Sequence, residues 1–209
     1  MINSKFIVVE GIDGSGKTSV CQTIKKILKK NGIKKIIIVH DPGGTVISEK
    51  IRKIIKNSYQ NEYIHHKTIL LLFYAARIQL IENIIKPALK NKTWIISDRH
   101  DLSSLTYQGG GFGIKKNIIM KLKKMMIGNF YPDLTIYLDI LPKFGLQRII
   151  KRGKLDTIEK NNLDFFNKVR NSYLNFISKD NKSIKINANL KFNIVKQEIQ
   201  NKLEAWLKK

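Results

Sequence analysis

Cysteine, acidic side chains and long apolar runs are all scarce in this sequence. Cys21 is the only cysteine in 209 residues, so no disulfide can form within the chain, and we expect a buried core residue there rather than a reactive thiol. No run of apolar residues reaches the roughly 18 needed to cross a membrane. The first predicted strand begins at Phe6, which leaves no room for a signal peptide. We therefore expect a cytoplasmic protein with no membrane segment.

Acidic residues are outnumbered by basic ones. The chain has 16 Asp and Glu against 39 Lys and Arg, which gives a formal net charge of +23. Such a charge is typical of proteins that bind polyanions, but here the lysines are spread over nearly every predicted helix. We interpret most of them as solvated surface residues and expect no functional nucleic-acid binding. Weak, salt-sensitive association with nucleic acid remains the alternative.

Short apolar runs alternate with helical patterns along the whole chain. The runs are rich in β-branched residues and fall at residues 6–9, 36–39, 94–97, 135–138 and 183–186. This alternation is typical of parallel βαβ units. It predicts the α/β class, with a doubly wound parallel sheet of about five strands flanked by helices. No repeat or linker interrupts the pattern, so we expect one domain over residues 1–209.

The segments between the runs have helical periodicity. Residues 46–90 predict two or three helices, with Pro87 at a kink or a terminal turn. Helical patterning resumes at residues 115–126, and residues 194–206 predict an amphipathic closing helix. The glycines at residues 109–111, followed by Gly113, predict a mobile loop.

The clearest motif follows the first run directly. It has the form G-x-x-x-x-G-K-[ST], and its residues are Gly11, Ile12, Asp13, Gly14, Ser15, Gly16, Lys17 and Thr18. Between a strand and a helix, this pattern predicts a P-loop, whose backbone N–H groups surround nucleotide phosphates. Lys17 would lie between the β- and γ-phosphates, and Thr18 would offer a hydroxyl to Mg²⁺. The alternative, a glycine-rich turn with a chance Lys-Thr, does not explain the strand before it and the helix after it.

Other predicted strands also end in polar residues. Ligands bind at the carboxyl ends of strands in such sheets, so these residues are expected to converge near the P-loop. Asp98 follows the third strand and could hold Mg²⁺ beside Thr18. Arg99 could bind a phosphate through its planar guanidinium.

Phe73 and Arg77 lie four residues apart on a predicted helix and therefore share one face. They could stack on a base and hydrogen-bond its edge. Spacing alone equally allows Phe73 to be a core residue and Arg77 a surface cation.

Several of these blocks together resemble the bacterial thymidylate kinases. The similar segments are residues 11–18, 41–45, 73–77, 98–100, 106–109 and 131–134, continuing to the region around Arg152 and Glu159. The resemblance therefore covers most of the chain in order. It implies the three-layer fold of P-loop kinases, a homodimer, and transfer of the γ-phosphoryl group of ATP to dTMP with Mg²⁺.

The resemblance also implies roles for individual residues. Phe73 would stack on thymine, and Arg77 would donate to its O4 edge. Asp13 would contact the sugar 3′-hydroxyl, and Arg99 the acceptor phosphate. Residues 143–160 would form a lid over ATP, with Arg148 in the donor site and Arg152 as the lid arginine that acts in catalysis beside Lys17 and Arg99. The remaining residues implied for the acceptor site are Pro42, Arg52, Ser103, Tyr107 and Gln108, of which the last three would accept the 5-methyl group and reject a ribose 2′-hydroxyl.

The sequence departs from the family pattern at three places. Members usually have Arg-Glu where this chain has His40 and Asp41, so a phosphate contact is lost or depends on protonation of His40. The lid has Ile150 and Thr157 where members often have arginines. The P-loop has no arginine between Asp13 and Lys17, which favours a catalytic arginine in the lid.

Three other functions remain open at this point. A related P-loop kinase could act on another nucleoside or nucleoside monophosphate. The net charge of +23 also allows a basic P-loop ATPase that binds nucleic acid. An inactive homologue that only binds nucleotides is the third, against which the intact Lys17, Thr18, Asp98 and Arg99 argue.

Overall fold

Five parallel strands form the central sheet, in the order β2-β3-β1-β4-β5. In the computed structural model, which describes residues 4–57, 62–153 and 155–208, they are β1 (Phe6–Glu10), β2 (Ile36–His40), β3 (Trp94–Asp98), β4 (Leu134–Asp139) and β5 (Ser183–Asn187). All the predicted strands are confirmed, and each runs one residue further at its carboxyl end than the predicted apolar run. These last residues are polar or charged, so functional side chains lie at the carboxyl edge of the sheet.

Helices cover both faces of the sheet, as predicted. They are α1 (Lys17–Lys30), α2 (Val46–Lys56), α3 (His66–Leu80), α4 (Lys86–Lys90), α5 (Asp101–Ser104), α6 (Lys116–Ile127), α7 (Pro142–Arg152), α8 (Leu163–Ile177) and α9 (Phe192–Leu207). Two π-helical segments, Ile81–Ile85 and Leu105–Gly111, continue α3 and α5. Pro87 lies in the first turn of α4, where its missing N–H costs little.

The central strand β1 is buried on both faces because successive side chains point in opposite directions. Ile7 and Val9 belong to the larger core, which also contains residues of α1, α8 and α9. Phe6 and Val8 belong to a second core, with Leu80 at the end of α3. The carboxyl end of β1 is thereby fixed between two packed layers, and the P-loop leaves the sheet from this point.

Helical structure is continuous over the 25 residues from His66 to Lys90, and an 18-residue window within this stretch, with a mean hydropathy of 1.5, is apolar enough by composition to cross a membrane. The core helix of a globular protein has the same length and composition. Leu80 and Ile85 pack on the sheet, and Leu70 and Tyr74 pack on Leu105 and Ile119. The stretch is packed here as a core helix.

The prediction of a loop at residues 109–111 is wrong. These glycines end the π-helical segment Leu105–Gly111, which packs against α8. A Cβ on Gly110 would lie 2.5 Å from Cβ of Ser172, and one on Gly111 would lie 2.4 Å from the ring of Phe165. Their missing side chains allow close packing of two helices, a use of glycine that composition does not distinguish from flexibility. Gly113, with φ of 74°, lies just beyond in a turn.

Candidate active site

The P-loop has the backbone shape that its motif predicts. Gly14 and Gly16 have φ of 76° and 91°, a region that side chains disfavour. A Cβ on Gly14 would also lie 2.3 Å from the carbonyl oxygen of Gly145 in α7. Helix α1 begins at Lys17, so its first N–H groups and the positive end of its dipole face the loop.

Two polar groups of the P-loop have few partners of their own. Nζ of Lys17 donates to the carbonyl oxygens of Gly11 at 3.2 Å and Ile12 at 3.0 Å. Burial lowers the pKa of Lys17, and the nearby charge of Arg99 lowers it further. The buried hydroxyl of Ser15 makes no hydrogen bond with any described residue. Both groups are placed to bind an anion in the loop.

Thr18 and Asp98 lie side by side at the edge of the sheet. Strands β1 and β3 are neighbours, with Val9 opposite Asp98. Oγ1 of Thr18 donates to Oδ2 of Asp98 at 2.8 Å. Among the described residues, no group of three or more His, Cys, Asp or Glu side chains could hold a metal by itself. One hydroxyl and one carboxylate fit Mg²⁺, which keeps most of its ligands as water and substrate phosphate oxygens.

A cleft of about 390 Å³ opens beside the P-loop. The predicted site residues that line it are Asp13, Gly14, Gly16, Lys17, Thr18, Pro42, Arg52, Phe73, Arg77, Asp98, Arg99, Ser103, Tyr107, Gln108 and Arg152. Gly11, Ile12, Ser15 and Arg148 are not among its lining residues. The cleft brings together parts of the chain that sequence order leaves far apart.

Arg77 forms the buried end of this cleft. Its side chain is 1% exposed, so the alternative of a surface cation is wrong. Nε lies 2.5 Å from Oδ2 of Asp41, and Nη1 lies 3.7 Å from Oδ1 of Asp101. Asp101 also accepts a hydrogen bond from the hydroxyl of Tyr74 at 2.6 Å. Burial alone would raise the pKa of Asp41, but the charge of Arg77 and the hydrogen bonds to this carboxylate together outweigh burial and hold that pKa below its usual range.

Four buried polar groups of residues that line the cleft near Arg77 have no hydrogen-bond partner among the described residues. They are Nη1 of Arg77, Oδ1 of Asp41, Nε2 of Gln108 and Oγ of Ser104. Phe73, partly buried, lines the same cleft. Burying a polar group without a partner costs about 1–3 kcal/mol, so such a cluster is typical of a ligand site. The sequence prediction missed Ser104 because nothing distinguishes it from Ser103 before the helix is placed.

Arg99 and Asp13 form an ion pair across the mouth of the cleft. Nη2 of Arg99 donates to Oδ1 of Asp13 at 2.6 Å, and the hydroxyl of Tyr107 donates to Oδ2 at 2.7 Å. Burial alone would raise the pKa of Asp13, but the charges of Arg99 and Lys17 outweigh it and hold that pKa well below its usual range. Asp13 is therefore ionised at neutral pH. Its predicted contact with the sugar and the predicted contact of Arg99 with a phosphate stay predictions.

The predicted lid residues begin in α7 and continue through residues 155–160, with residue 154 outside the described residues. Nη2 of Arg152 donates to both carboxylate oxygens of Glu159 at 2.7 Å. Nζ of Lys56 lies 3.0 Å from Oδ2 of Asp156, which ties this segment to the end of α2. Arg148 instead lies behind the P-loop, where it donates to the carbonyl oxygens of Gly14 at 3.2 Å and Ala188 at 3.5 Å.

His40, where the sequence departs from the family pattern, contacts a neighbouring carboxylate. Nε2 of His40 lies 2.7 Å from Oε1 of Glu49, which also accepts the N–H of Gly44. Arg52 donates from Nη1 to the carbonyl oxygen of Pro42 at 2.7 Å. Both His40 and Arg52 line the cleft. The predicted loss of a phosphate contact at His40 stays a prediction.

These elements define a class of protein. A P-loop that continues a central parallel strand, a hydroxyl and carboxylate suited to Mg²⁺, and a cleft that extends from the loop to a buried arginine are together the arrangement of a P-loop nucleoside-monophosphate kinase. The sequence model of the family "Thymidylate kinase" matches residues 9–199. The chain belongs to the thymidylate kinase family.

Known thymidylate kinases are similar to this chain over nearly their whole lengths. A thymidylate kinase of Buchnera aphidicola subsp. Schizaphis graminum is 58% identical over 207 residues, which cover 99% of this chain and 98% of the relative. One of Buchnera aphidicola subsp. Acyrthosiphon pisum is 55% identical over 209 residues, covering 100% and 99%. The crystal structure of thymidylate kinase from Ehrlichia chaffeensis has a TM-score of 0.76 at 28% identity, covering 97% of this chain and 99% of that one. These likenesses confirm the predicted fold and family.

Proposed function

We propose that this protein transfers the γ-phosphoryl group of ATP to dTMP and releases dTDP and ADP. An oxygen of the dTMP phosphate attacks the γ-phosphorus, and the bond from that phosphorus to the β,γ-bridging oxygen breaks. The acceptor is already ionised, so no general base is needed. Positioning and charge neutralisation are then the protein's main contributions. Membership of the thymidylate kinase family supports this reaction.

The P-loop is proposed to bind the triphosphate of the donor. Lys17 would exchange its two carbonyl partners for phosphate oxygens, and Ser15 would gain a partner. Thr18 and Asp98 would hold Mg²⁺, which when bound neutralises charge on the β- and γ-phosphates. Arg148, which bridges Gly14 and Ala188 behind the loop, would contribute to the donor site from that side.

The observation that carries the choice of acceptor is the cluster of unpaired groups at the buried end of the cleft. Nη1 of Arg77 and Nε2 of Gln108 can only donate hydrogen bonds, so they require acceptors on the ligand. Thymine presents the O4 carbonyl, whereas cytosine presents an amino group at the same position and would leave these donors unpaired. Phe73 would stack on the ring.

The mouth of the cleft is proposed to hold the sugar and phosphate of dTMP. Arg99 would bind the acceptor phosphate, and Asp13 the 3′-hydroxyl. Tyr107 is 5% exposed and already bonded to Asp13, so it leaves little room for a ribose 2′-hydroxyl. Pro42, Arg52 and Ser103 would complete this part of the site.

The segment 143–160 is proposed to be the lid, with the rest of the chain forming a single domain around the sheet. In the structure Arg152 is bound by Glu159. On closing, it would turn to the transferring phosphoryl group and stabilise the charge that develops there. A closed lid would also exclude water that would otherwise hydrolyse ATP.

A cytoplasmic homodimer is the proposed assembly. The resemblance to the family is one support. The other is an apolar strip on α3, where Leu71 is 56% exposed and Leu72 and Ala75 lie beside it. A second copy with the same strip would bury these side chains.

An acceptor panel tests the proposal. Formation of ADP is followed in a coupled assay with dTMP, dUMP, dCMP, UMP or thymidine as the acceptor. We expect the highest kcat/KM with dTMP and no reaction for Lys17→Ala. Preference for thymidine or dCMP would contradict the proposal, and so would ATP hydrolysis stimulated by DNA with no phosphate transferred to dTMP.

A further inference from the structure

Two pairs of side chains, each consisting of a carboxylate and a tyrosine, lie on two sides of Arg99. Towards the cleft, Nη2 donates to Asp13 at 2.6 Å and to the hydroxyl of Tyr107 at 3.1 Å. On its other side, Nη1 donates to the carbonyl oxygen of Gly11 at 2.9 Å, to Oγ of Ser103 at 3.0 Å and to the hydroxyl of Tyr173 at 3.4 Å.

Behind Arg99, the second carboxylate belongs to Glu10. Its Oε2 accepts hydrogen bonds from Ser103 at 2.6 Å and from Tyr173 at 2.7 Å. We call Glu10, Ser103 and Tyr173 the Arg99 anchor. Both hydroxyls donate to Oε2 of Glu10, so their lone pairs are left for Arg99. Glu10 therefore orders the two hydroxyl contacts of Nη1.

The two sides differ in burial. Glu10 and Tyr173 are 0% exposed, whereas the side chain of Asp13 is 22% exposed and lines the cleft. A ligand entering the cleft can therefore replace Asp13 as a partner of Nη2, but it cannot reach the contacts of Glu10 with Tyr173.

Arg99 also has an unusual backbone conformation. Its φ of 73° lies in the left-handed region, which is uncommon for a residue other than glycine. Such a conformation persists where surrounding contacts impose it, and it clusters at functional sites. Here the N–H of Arg99 donates to the carbonyl oxygen of Val9 at 2.9 Å, and Ser97 donates to the carbonyl oxygen of Arg99 at 2.7 Å. The backbone and one edge of the guanidinium are both fixed.

We infer that Tyr173 is a positioning residue for the phosphoryl acceptor: together with Glu10 it fixes Nη1 of Arg99, so that Nη2 can exchange Asp13 for the acceptor phosphate. This inference rests on the proposed function, in which Arg99 binds that phosphate. Exchange at Nη2 also frees Oδ1 of Asp13, which is then available to the sugar hydroxyl, while Oδ2 keeps the hydrogen bond from Tyr107. Tyr173 comes from α8, far along the chain, and is absent from the lining of the cleft.

The test compares dTMP with thymidine, which lacks only the phosphate. Tyr173→Phe removes one hydroxyl and keeps the ring, and calorimetry measures the Kd of each ligand. We expect the Kd of dTMP to rise about tenfold, because the oxygen lost serves a charged group. The Kd of thymidine is expected to stay within about twofold, since thymidine has no phosphate for Arg99 to bind.

Tyr137→Phe is the matched control. The ring of Tyr137 stacks on that of Tyr173, with centroids 5.0 Å apart, but its hydroxyl points to Asp139 at 3.4 Å. We expect it to leave both Kd values unchanged. Equal weakening of dTMP and thymidine by Tyr173→Phe would mean a merely structural role and would overturn the inference, as would no change for either ligand.

Two further measurements separate this inference from its premises. In an Arg99→Ala background, Tyr173→Phe should cause no further loss of dTMP affinity, because the hydroxyl acts only through Arg99; an additive loss would overturn the inference. If Tyr173→Phe fails to fold, Glu10→Gln is measured against the same two ligands, with the same expected result. A wild-type protein that does not phosphorylate dTMP would instead contradict the proposed function.

Discussion

The hydroxyl of Thr18 donates a hydrogen bond to the carboxylate of Asp98 over 2.8 Å, although the two residues are 80 positions apart. The contact joins the P-loop to the end of the neighbouring strand β3. It also brings together the two protein ligands that we propose for Mg²⁺. The position of the metal therefore depends on the pairing of β1 with β3.

Asp98→Asn tests that metal site. The amide keeps the shape of the side chain but loses its charge, so we expect the Mg²⁺ concentration for half-maximal activity to rise about 10- to 100-fold. Titration of activity with Mg²⁺ measures this. Asp164→Asn is the control, because Asp164 is an exposed partner of Lys168 and does not line the cleft. An unchanged Mg²⁺ requirement for Asp98→Asn would remove Asp98 from the site.

Arg152→Ala tests the lid. An arginine that stabilises the charge of the transferring group contributes roughly 10³-fold or more to kcat, so its loss should lower kcat far more than it raises the KM of dTMP. Steady-state kinetics with both substrates measure the two effects. Lys168→Ala, which removes another exposed cation, should leave both parameters as in the wild type. If Arg152→Ala keeps its kcat, the assignment of Arg152 as the catalytic lid residue is wrong.

Arg77→Lys tests recognition of the base. Lysine keeps a positive charge near Asp41 but lacks the planar guanidinium group. The substitution therefore removes Nη1, the donor that has no hydrogen-bond partner in the wild-type structure. We expect kcat/KM for dTMP to fall about 10- to 100-fold while the KM of ATP changes little. Arg170→Lys provides the control, because Arg170 of α8 also pairs with a carboxylate at a strand end, that of Asp139, but neither residue lines the cleft. Equal activity of wild type and Arg77→Lys would argue against a contact of Arg77 with the base.

Acid should destabilise the fold through its buried carboxylates. Burial alone would raise the pKa values of Asp13, Asp41 and Asp101, but nearby cationic side chains and hydrogen bonds together outweigh burial and hold these values below their usual range. Their stabilisation is present above the unfolded pKa of about 3.9 and is lost as the pH falls towards the folded values. Glu10 acts in the opposite sense, because burial raises its pKa, so its contribution is lost as the pH rises through its folded value.

Thermal unfolding from pH 7 to pH 2 measures this dependence. We expect Tm to fall steeply below about pH 4, and to fall less steeply for Asp41→Asn, in which one of these carboxylates no longer titrates. Asp180→Asn, an exposed surface change, should keep the wild-type slope. A Tm that is unchanged between pH 5 and pH 2 would contradict the account of these ion pairs.

Sequence patterns predicted the strands and the P-loop because both depend on local order. The apolar run before Glu10 and the glycines after it specify a strand and a turn through local sequence alone, independently of distant parts of the chain. The contact of Tyr173 with Glu10 joins residues 163 positions apart and exists only once α8 is packed. The same is true of the pair of Arg99 and Asp13, which the family resemblance assigned to two different parts of the substrate.

Glycine was the least informative residue in the sequence. Gly16 adopts a backbone shape that its motif predicts, whereas Gly110 and Gly111 allow a π-helical segment to pack on α8. Both uses look alike before the partner helix is known. Ser104 was missed for a similar reason, since its unpaired hydroxyl becomes visible only in the folded cleft.

³¹P NMR directly observes whether this protein moves a phosphoryl group from ATP to dTMP. A mixture of the protein with ATP, dTMP and Mg²⁺ should lose the signals of ATP and of the dTMP monophosphate together. The diphosphate signals of ADP and dTDP should replace them in equal amounts. Growth of an inorganic phosphate signal with the dTMP signal unchanged would contradict the account.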